Sequence, residues 1–288
     1  MNIRQCGQRR SEHRIVIPTQ SAGKIFHATA SQSRSITEHI MTRLLLRAIC
    51  GALFAGLLGL ATSALADTSQ LYRASGMETH QAHFQQALEK ARSRYAAQLP
   101  AAVAENLVRK SNERFEPDRM HARAMASLAV NLSDEQLNGA REFYRSELGE
   151  AVVAAETRAT SPAEVRRMQN GLPPITLSAE REATLRRLGQ QLPALDMGEE
   201  VSLALASLAT QSANDMLGGL LTIPEGFANQ RRGSIRAQME PNLPQTLAYV
   251  YRDLTDAQLN AYADWSETDS GQAFFRASSA AARDALNP

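Results

Sequence analysis

The chain is short of the residues that do covalent chemistry. Its two cysteines, Cys6 and Cys50, both fall in the first fifty residues. Without that region it has no thiol nucleophile, no thiolate metal ligand and no disulfide framework. Aromatic residues make up only 5% of the chain, and Trp265 is the single tryptophan. No Gly-x-Ser-x-Gly elbow, phosphate-cradling glycine loop or dinucleotide fingerprint occurs, which removes the commonest hydrolase and nucleotide-binding signatures. No stretch alternates β-branched and aromatic residues with polar ones at period two, which excludes a β architecture. Formal charge is only +1, and no basic face stands out to neutralise phosphates, so nucleic acid is not an expected partner.

What is present first is an export signal. Met41-Thr42-Arg43 opens a short basic stretch that includes Arg47, and an uncharged run from Ala48 to Ala66 follows. The run closes on Ala64-Leu65-Ala66 before Asp67. A basic start, an apolar middle and a small-x-small exit are the three parts of a secretory signal peptide. Residues 41–66 are therefore expected to be a signal peptide cleaved between Ala66 and Asp67, with delivery to the periplasm. Cys50 stands at the start of the apolar run, whereas a lipid-modified cysteine must stand at its end. Residues 1–40 are polar and without apolar period, and read as a disordered or mis-assigned extension upstream of a start at Met41.

Removing residues 1–66 takes away eight basic and two acidic residues, leaving 23 basic against 28 acidic, a net charge of −5. The remaining 222 residues are enough to bury a sizeable core by packing alone.

Those residues read as helices throughout. Phe84, Ala87, Leu88 and Ala91 share one helical face, and Val201, Ala204, Leu205 and Leu208 share another. One helix is expected from near Thr68 to Leu99-Pro100. Glu116-Pro117-Asp118 divides two more, and turns are expected at Ile223-Pro224 and from Pro241 to Pro244. Pro162 and the run Asn170-Gly171-Leu172-Pro173-Pro174 mark a linker.

The most informative feature is a duplication. Residues 132–151 and 254–273 align at a constant offset of 122 without a gap, and seven of the 20 pairs are identical. Ser133 with Gln136, and Thr255 with Gln258, have capping-box spacing. Leu132 with Leu137, and Leu254 with Leu259, are placed as hydrophobic staples. An aromatic follows, Phe143 or Trp265, then Ser146 or Thr268 as a second cap, then Gly149 or Gly271, where another helix can come close. Val152-Val153 and Phe274-Phe275 match at the same offset and suit the core. Caps, staples and core aromatics account for every position without a ligand, although the hydroxyl, glycine and aromatic could also line a groove.

The pattern of both motifs resembles the bacterial family known as domain of unknown function 2059, here with two copies of its motif. The stretch Leu71-Tyr72-Arg73-Ala74-Ser75-Gly76-Met77 is similar to that family's opening helix. The resemblance implies an all-helical, exported protein of Gram-negative bacteria and brings no established activity. Two departures stand out: Glu147 and Asp269 replace a frequent proline after the hydroxyl residue, and Trp265-Ser266 replaces the usual Phe-Tyr pair.

The expected fold is all-α, a helical bundle of two related units in tandem: residues 67–160, a linker over 161–177, and residues 178–288. Catalytic groups are scarce. His80 and His83 lie three apart on a helix, with His121 or Glu78 as a conceivable third metal ligand, but such spacing is common by chance and a site needs at least three ligands. Glu199 and Glu200 are adjacent, so helix geometry points them apart and argues against an acid–base pair. No cofactor, metal or catalytic residue is assigned. The expected function is an interaction or binding module of the cell envelope. Its partner would be another envelope protein, a peptide or a lipid surface, and the signal peptide would be its only membrane segment. The alternative is a periplasmic hydrolase or metal-dependent enzyme.

Overall fold

A computed structural model describes residues 65–97, 99–216 and 232–287. The upstream extension, most of the signal peptide and the Ile223-Pro224 turn lie outside the described residues. Residues 65–74 are helical (α1). Then come α2 (Met77–Ala96), α3 (Ala101–Arg114), α4 (Pro117–Asn131), α5 (Asp134–Tyr144), α6 (Glu147–Thr160) and α7 (Pro162–Gln169). The second half holds α8 (Ala179–Gln191), α9 (Ala194–Met216), α10 (Arg232–Met239), a 3-10 turn (Glu240–Asn242), α11 (Leu243–Val250), α12 (Asp256–Ser266) and α13 (Asp269–Leu286). There is no strand among the described residues.

The first expected helix is in fact two. It breaks at Ser75-Gly76, where Gly76 adopts φ +77°. A side chain there would be strained, and its Cβ would lie 2.8 Å from Thr157 Cγ2 and 3.0 Å from Val153 Cγ1. Glycine therefore serves both the turn and the seat of α6 against it. The Glu116-Pro117-Asp118 division stands as read. Glu116 caps α4 through its carboxylate, which accepts from the amides of Asp118 (3.1 Å) and Arg119 (2.7 Å), with Pro117 in the first helical position.

The faces read from periodicity need correction at single positions. Leu88, Ala204 and Leu208 are buried, but Ala87 and Leu205 are exposed. On α9 the inward stripe is Glu200, Ala204 and Leu208, flanked by Glu199 and Leu203. Two acids thus occupy core positions. The stretch read as linker carries α7, started by Ser161, whose hydroxyl accepts from Glu164 N (3.3 Å), and Glu164 is buried.

All described residues fall in one compact unit. Its spine is α13, the last helix, which packs along α4 and α5 of the first half and also against α9 and α12. The helix α8 lies on α11 and α12, and α6 contacts α11 and α12. The halves carrying the two motifs are therefore interlocked around a shared core that holds Leu128, Leu137, Phe143, Val152, Leu259, Tyr262 and Phe274 together.

Candidate functional site

Both motifs build the same local device. Ser133 Oγ accepts from Gln136 N (3.3 Å), while Ser133 N donates to Gln136 Oε1 (3.1 Å). Thr255 and Gln258 repeat this at 3.2 and 2.9 Å. The staple residues Leu132, Leu137, Leu254 and Leu259 are all buried. Ten residues past each cap, Phe143 enters the core and Trp265 packs against it, partly buried.

The second hydroxyl joins two helices. Ser146 Oγ donates to Phe143 O (2.6 Å) and accepts from Gly149 N (3.0 Å). Thr268 Oγ1 likewise donates to Trp265 O (2.7 Å) and accepts from Gly271 N (3.1 Å). One oxygen so joins the two ends: it donates to a carbonyl of the ending helix, which also accepts from the Ser146 or Thr268 amide, and takes up a free amide of the starting one. The glycines are needed here, although not for a remote helix. A Cβ on Gly149 would meet Phe143 O and sit 2.7 Å from Tyr144 Cα; on Gly271 it would meet Trp265 O and sit 3.1 Å from Ser266 Cα. The close neighbour is the end of the preceding helix, folded back across the kink.

With the cap, staple and glycine positions of the motifs engaged in helix starts and core, the chemistry gathers around acids outside the two duplicated stretches. The first cluster surrounds Glu156 on α6. Its Oε1 accepts from Tyr251 (2.6 Å) and Tyr262 (2.9 Å). Both tyrosines and Tyr144 are buried. Burial pushes the Glu156 carboxyl above the ordinary carboxylate range, opposed by the two tyrosine hydrogen bonds. The three phenols rise well above their usual value, first from burial and then from the nearby Glu156 charge. Arg158 pairs with Asp253 (2.8 Å) beside the cluster. Glu156 thereby pins the first half to the second. A carboxyl with a raised pKa is a general-acid candidate in a cleft, but here the enclosing groups are core side chains.

Another acid, Glu164, is buried; it accepts from Tyr249 (2.7 Å) and Arg252 (3.1 Å) and pairs with Arg167 (2.7 Å). The Tyr249 hydroxyl is the largest cause holding its carboxyl below the ordinary value.

The third cluster overturns the expectation that Glu199 and Glu200 diverge. Both are nearly fully buried, at 3% and 1% exposure, and both accept from Arg232 Nη1, at 2.5 and 2.8 Å. One guanidinium bridges the two carboxylates. Arg236 reaches Glu199 (3.3 Å) and also pairs with Asp196. Arg283 Nε donates to Glu200 (3.0 Å), as does Asn287 Nδ2 (2.9 Å). Burial works to raise the Glu200 carboxyl, yet the hydrogen bonds from Arg232 and Arg283 hold it below its ordinary value. Two carboxylates under three guanidiniums form a charge framework rather than a proton-transfer pair.

Above this framework lies an open cleft of about 600 Å³ between the end of α8, the start of α9 and the face of α13. Gln190, Gln191, Arg236, Gln272, Arg276 and Arg283 line it, with Phe275 among its apolar residues. A smaller depression of about 390 Å³ adjoins it through Asp196, Arg236 and Arg283.

His80 and His83 converge, but on a hydroxyl. Their Nδ1 atoms lie 2.9 and 3.0 Å from Thr160 Oγ1, whose own hydrogen goes to Thr157 O (3.1 Å). Burial, then the neighbouring His83, pushes the His80 imidazole down to about 4. His121 stands edge-on to the Tyr72 ring (4.8 Å). Among the described residues, no group of three or more His, Cys, Asp or Glu side chains could hold a metal ion.

The sequence carried a usable signal for these acids. Glu156 follows Val152 at i+4 between the buried Ala155 and Ala159, and Glu200 precedes Ala204 and Leu208 at the same step. An acid continuing an apolar stripe marks a buried, partnered carboxylate.

Residues 118–176 match the profile of a family described as "Uncharacterized protein conserved in bacteria (DUF2059)". The matched span runs from α4 past α7 and contains the first motif, Glu156 and Glu164; the second motif lies beyond it. No curated protein and no solved structure matches the chain.

Proposed function

We propose that the chain is a binding module of the bacterial cell envelope, exported through residues 41–66 and acting through the cleft between α8, α9 and α13. The cleft is the observation that supports this reading. Its volume lies in the range of small-ligand sites, roughly 300–1,000 Å³. Its lining mixes fixed guanidiniums, flexible amides and the Phe275 ring, a combination suited to holding a ligand. No nucleophile with an adjacent base stands in it. The export half of the proposal rests on the basic, apolar and small-x-small order ending at Ala66. Among the described residues, no helix is long and apolar enough to cross a membrane.

The test is site-specific photocrosslinking in cells, with the reactive residue at Gln190 or Gln272 in the cleft wall and at Val130, an exposed side chain outside it, as control. Adducts formed from the cleft positions and not from Val130 are expected. Equal yields at all three, or none, would sink the reading. Sequencing the N-terminus of the same material is expected to begin at Asp67.

A further inference from the structure

We propose that the cleft holds a phosphate-type oxyanion on Arg276, Ser279 and Arg283 of α13. The inference rests on the reading of the cleft as a binding site and adds the ligand's chemistry.

Three observations carry it. The acids of the region lie beneath the surface and the guanidiniums above it. Glu199 and Glu200 are 3% and 1% exposed, whereas the Arg232, Arg236 and Arg283 side chains are 40%, 43% and 55% exposed. The buried carboxylates thus anchor cations whose outer edges face solvent, so part of the ordering cost of binding is already met by the fold. The one exposed acid in the cleft, Asp196, is engaged by Arg236.

Next, donors remain open where the cleft is. Arg283 uses only its Nε, on Glu200, so its two Nη groups meet no described residue. Arg276 makes no hydrogen bond or ion pair with any described residue. Ser279, nine-tenths buried in the same wall, has a hydroxyl with no described partner. The fold does not enclose this oxygen, which stays accessible from the cleft.

Finally, the spacing suits one ligand. Arg276, Ser279 and Arg283 are three and four residues apart and share one face of α13, spanning about 10 Å along the axis. An oxyanion beside Ser279 lies within reach of a guanidinium from the turn before and the turn after. A planar guanidinium offers paired N–H groups that match phosphate oxygens, whereas a cation would meet three exposed guanidiniums.

The purified protein is titrated calorimetrically with inorganic phosphate, using chloride at matched ionic strength as control. Saturable binding is expected. Arg276→Ala should weaken it about tenfold or more without changing the melting temperature, and Arg276→Lys, which keeps the charge and loses the fork, should fall between. Vesicles of phosphatidylglycerol against phosphatidylcholine separate the sources. Retention on the anionic vesicles that Arg276→Ala abolishes places the phosphate on a lipid headgroup; binding of free phosphate without retention places it on a soluble ligand. Absence of saturable binding in both arms, or unchanged affinity in Arg276→Ala, overturns the oxyanion proposal. If cleft crosslinking succeeds while both arms fail, the ligand class is wrong and the binding cleft stands.

Discussion

Phe143 and Trp265 lie ring on ring, with centroids 3.7 Å apart and planes 8° apart. They are also the same position of the two motifs, separated by 122 residues. Tyr262 extends the stack, parallel to Phe143 at 5.7 Å and to Trp265 at 6.2 Å. Each ring is placed by the helix start ten residues upstream, where a capping box fixes the register. The duplicated sequence therefore meets itself in the core.

Because Trp265 is the single tryptophan, its fluorescence reports this stack directly. Phe143→Ala is expected to move the emission to longer wavelength and to cost about 3–5 kcal/mol, the range of large-to-small core changes in aromatics. Denaturant unfolding followed by fluorescence measures both. Unchanged emission would mean that the two rings are not in contact.

The kinks separate two kinds of residue. Ser146→Ala and Thr268→Ala each remove a cap and should cost about 1 kcal/mol. Gly149→Ala and Gly271→Ala put a methyl group into the backbone of the preceding helix, which cannot turn aside as a side chain can. These should cost more than the caps, at or above the upper end of the ~1–3 kcal/mol of core overpacking. Equal losses in the four variants would contradict the geometry.

Glu156 predicts an unusual pH dependence. Its folded pKa is raised, so between the unfolded value, about 4.3, and the folded one, the native state binds more protons than the unfolded state. Its contribution is then complete below the unfolded pKa and lost as pH rises through the folded pKa. Glu156→Gln keeps an acceptor for the tyrosines and cannot ionise. The stability difference between variant and wild type should be small near pH 4 and grow in the variant's favour as pH rises. Taking the difference removes Glu164 and Glu200, whose depressed pKa values act in the opposite sense. A difference that is flat with pH would refute the raised pKa. Glu156→Leu should destabilise at every pH, since two buried hydroxyls lose their acceptor at about 1–3 kcal/mol each.

His80 carries the reverse sign for a base. With a folded pKa of about 4 against 6.5 unfolded, the native state binds fewer protons across that window. Stability should fall as pH drops from about 6.5 toward 4. Ring resonances of His80 observed by NMR should not titrate between pH 8 and pH 5; a midpoint near 6.5 would show that the imidazole is open to water.

How far the sequence could be read follows from how local each interaction is. The caps, the staples and the helix division at Pro117 are decided within a few residues, and they appear as expected. The break at Gly76 was missed because the reason for it, Val153 and Thr157 of α6, lies some eighty residues away. The apolar period fits Leu205 inward equally well one step round the helix, and the arginines that pair with the buried Glu199 and Glu200 lie 32 to 83 residues away in sequence. The cleft was not legible at all: Arg276 and Arg283 read as ordinary exposed cations on α13, and their meeting with α8 and α9 belongs to tertiary packing.

The packing of α13 along α4 and α5 has a consequence for the order of events in synthesis. Chains emerge from the amino end, so α4 and α5 leave the ribosome long before the helix that covers them exists. Their apolar faces stay open until α13 arrives, and contacts closing a loop this long form slowly. Cutting away α13 should therefore leave the faces of α4 and α5 open and yield an insoluble product rather than a shorter soluble one.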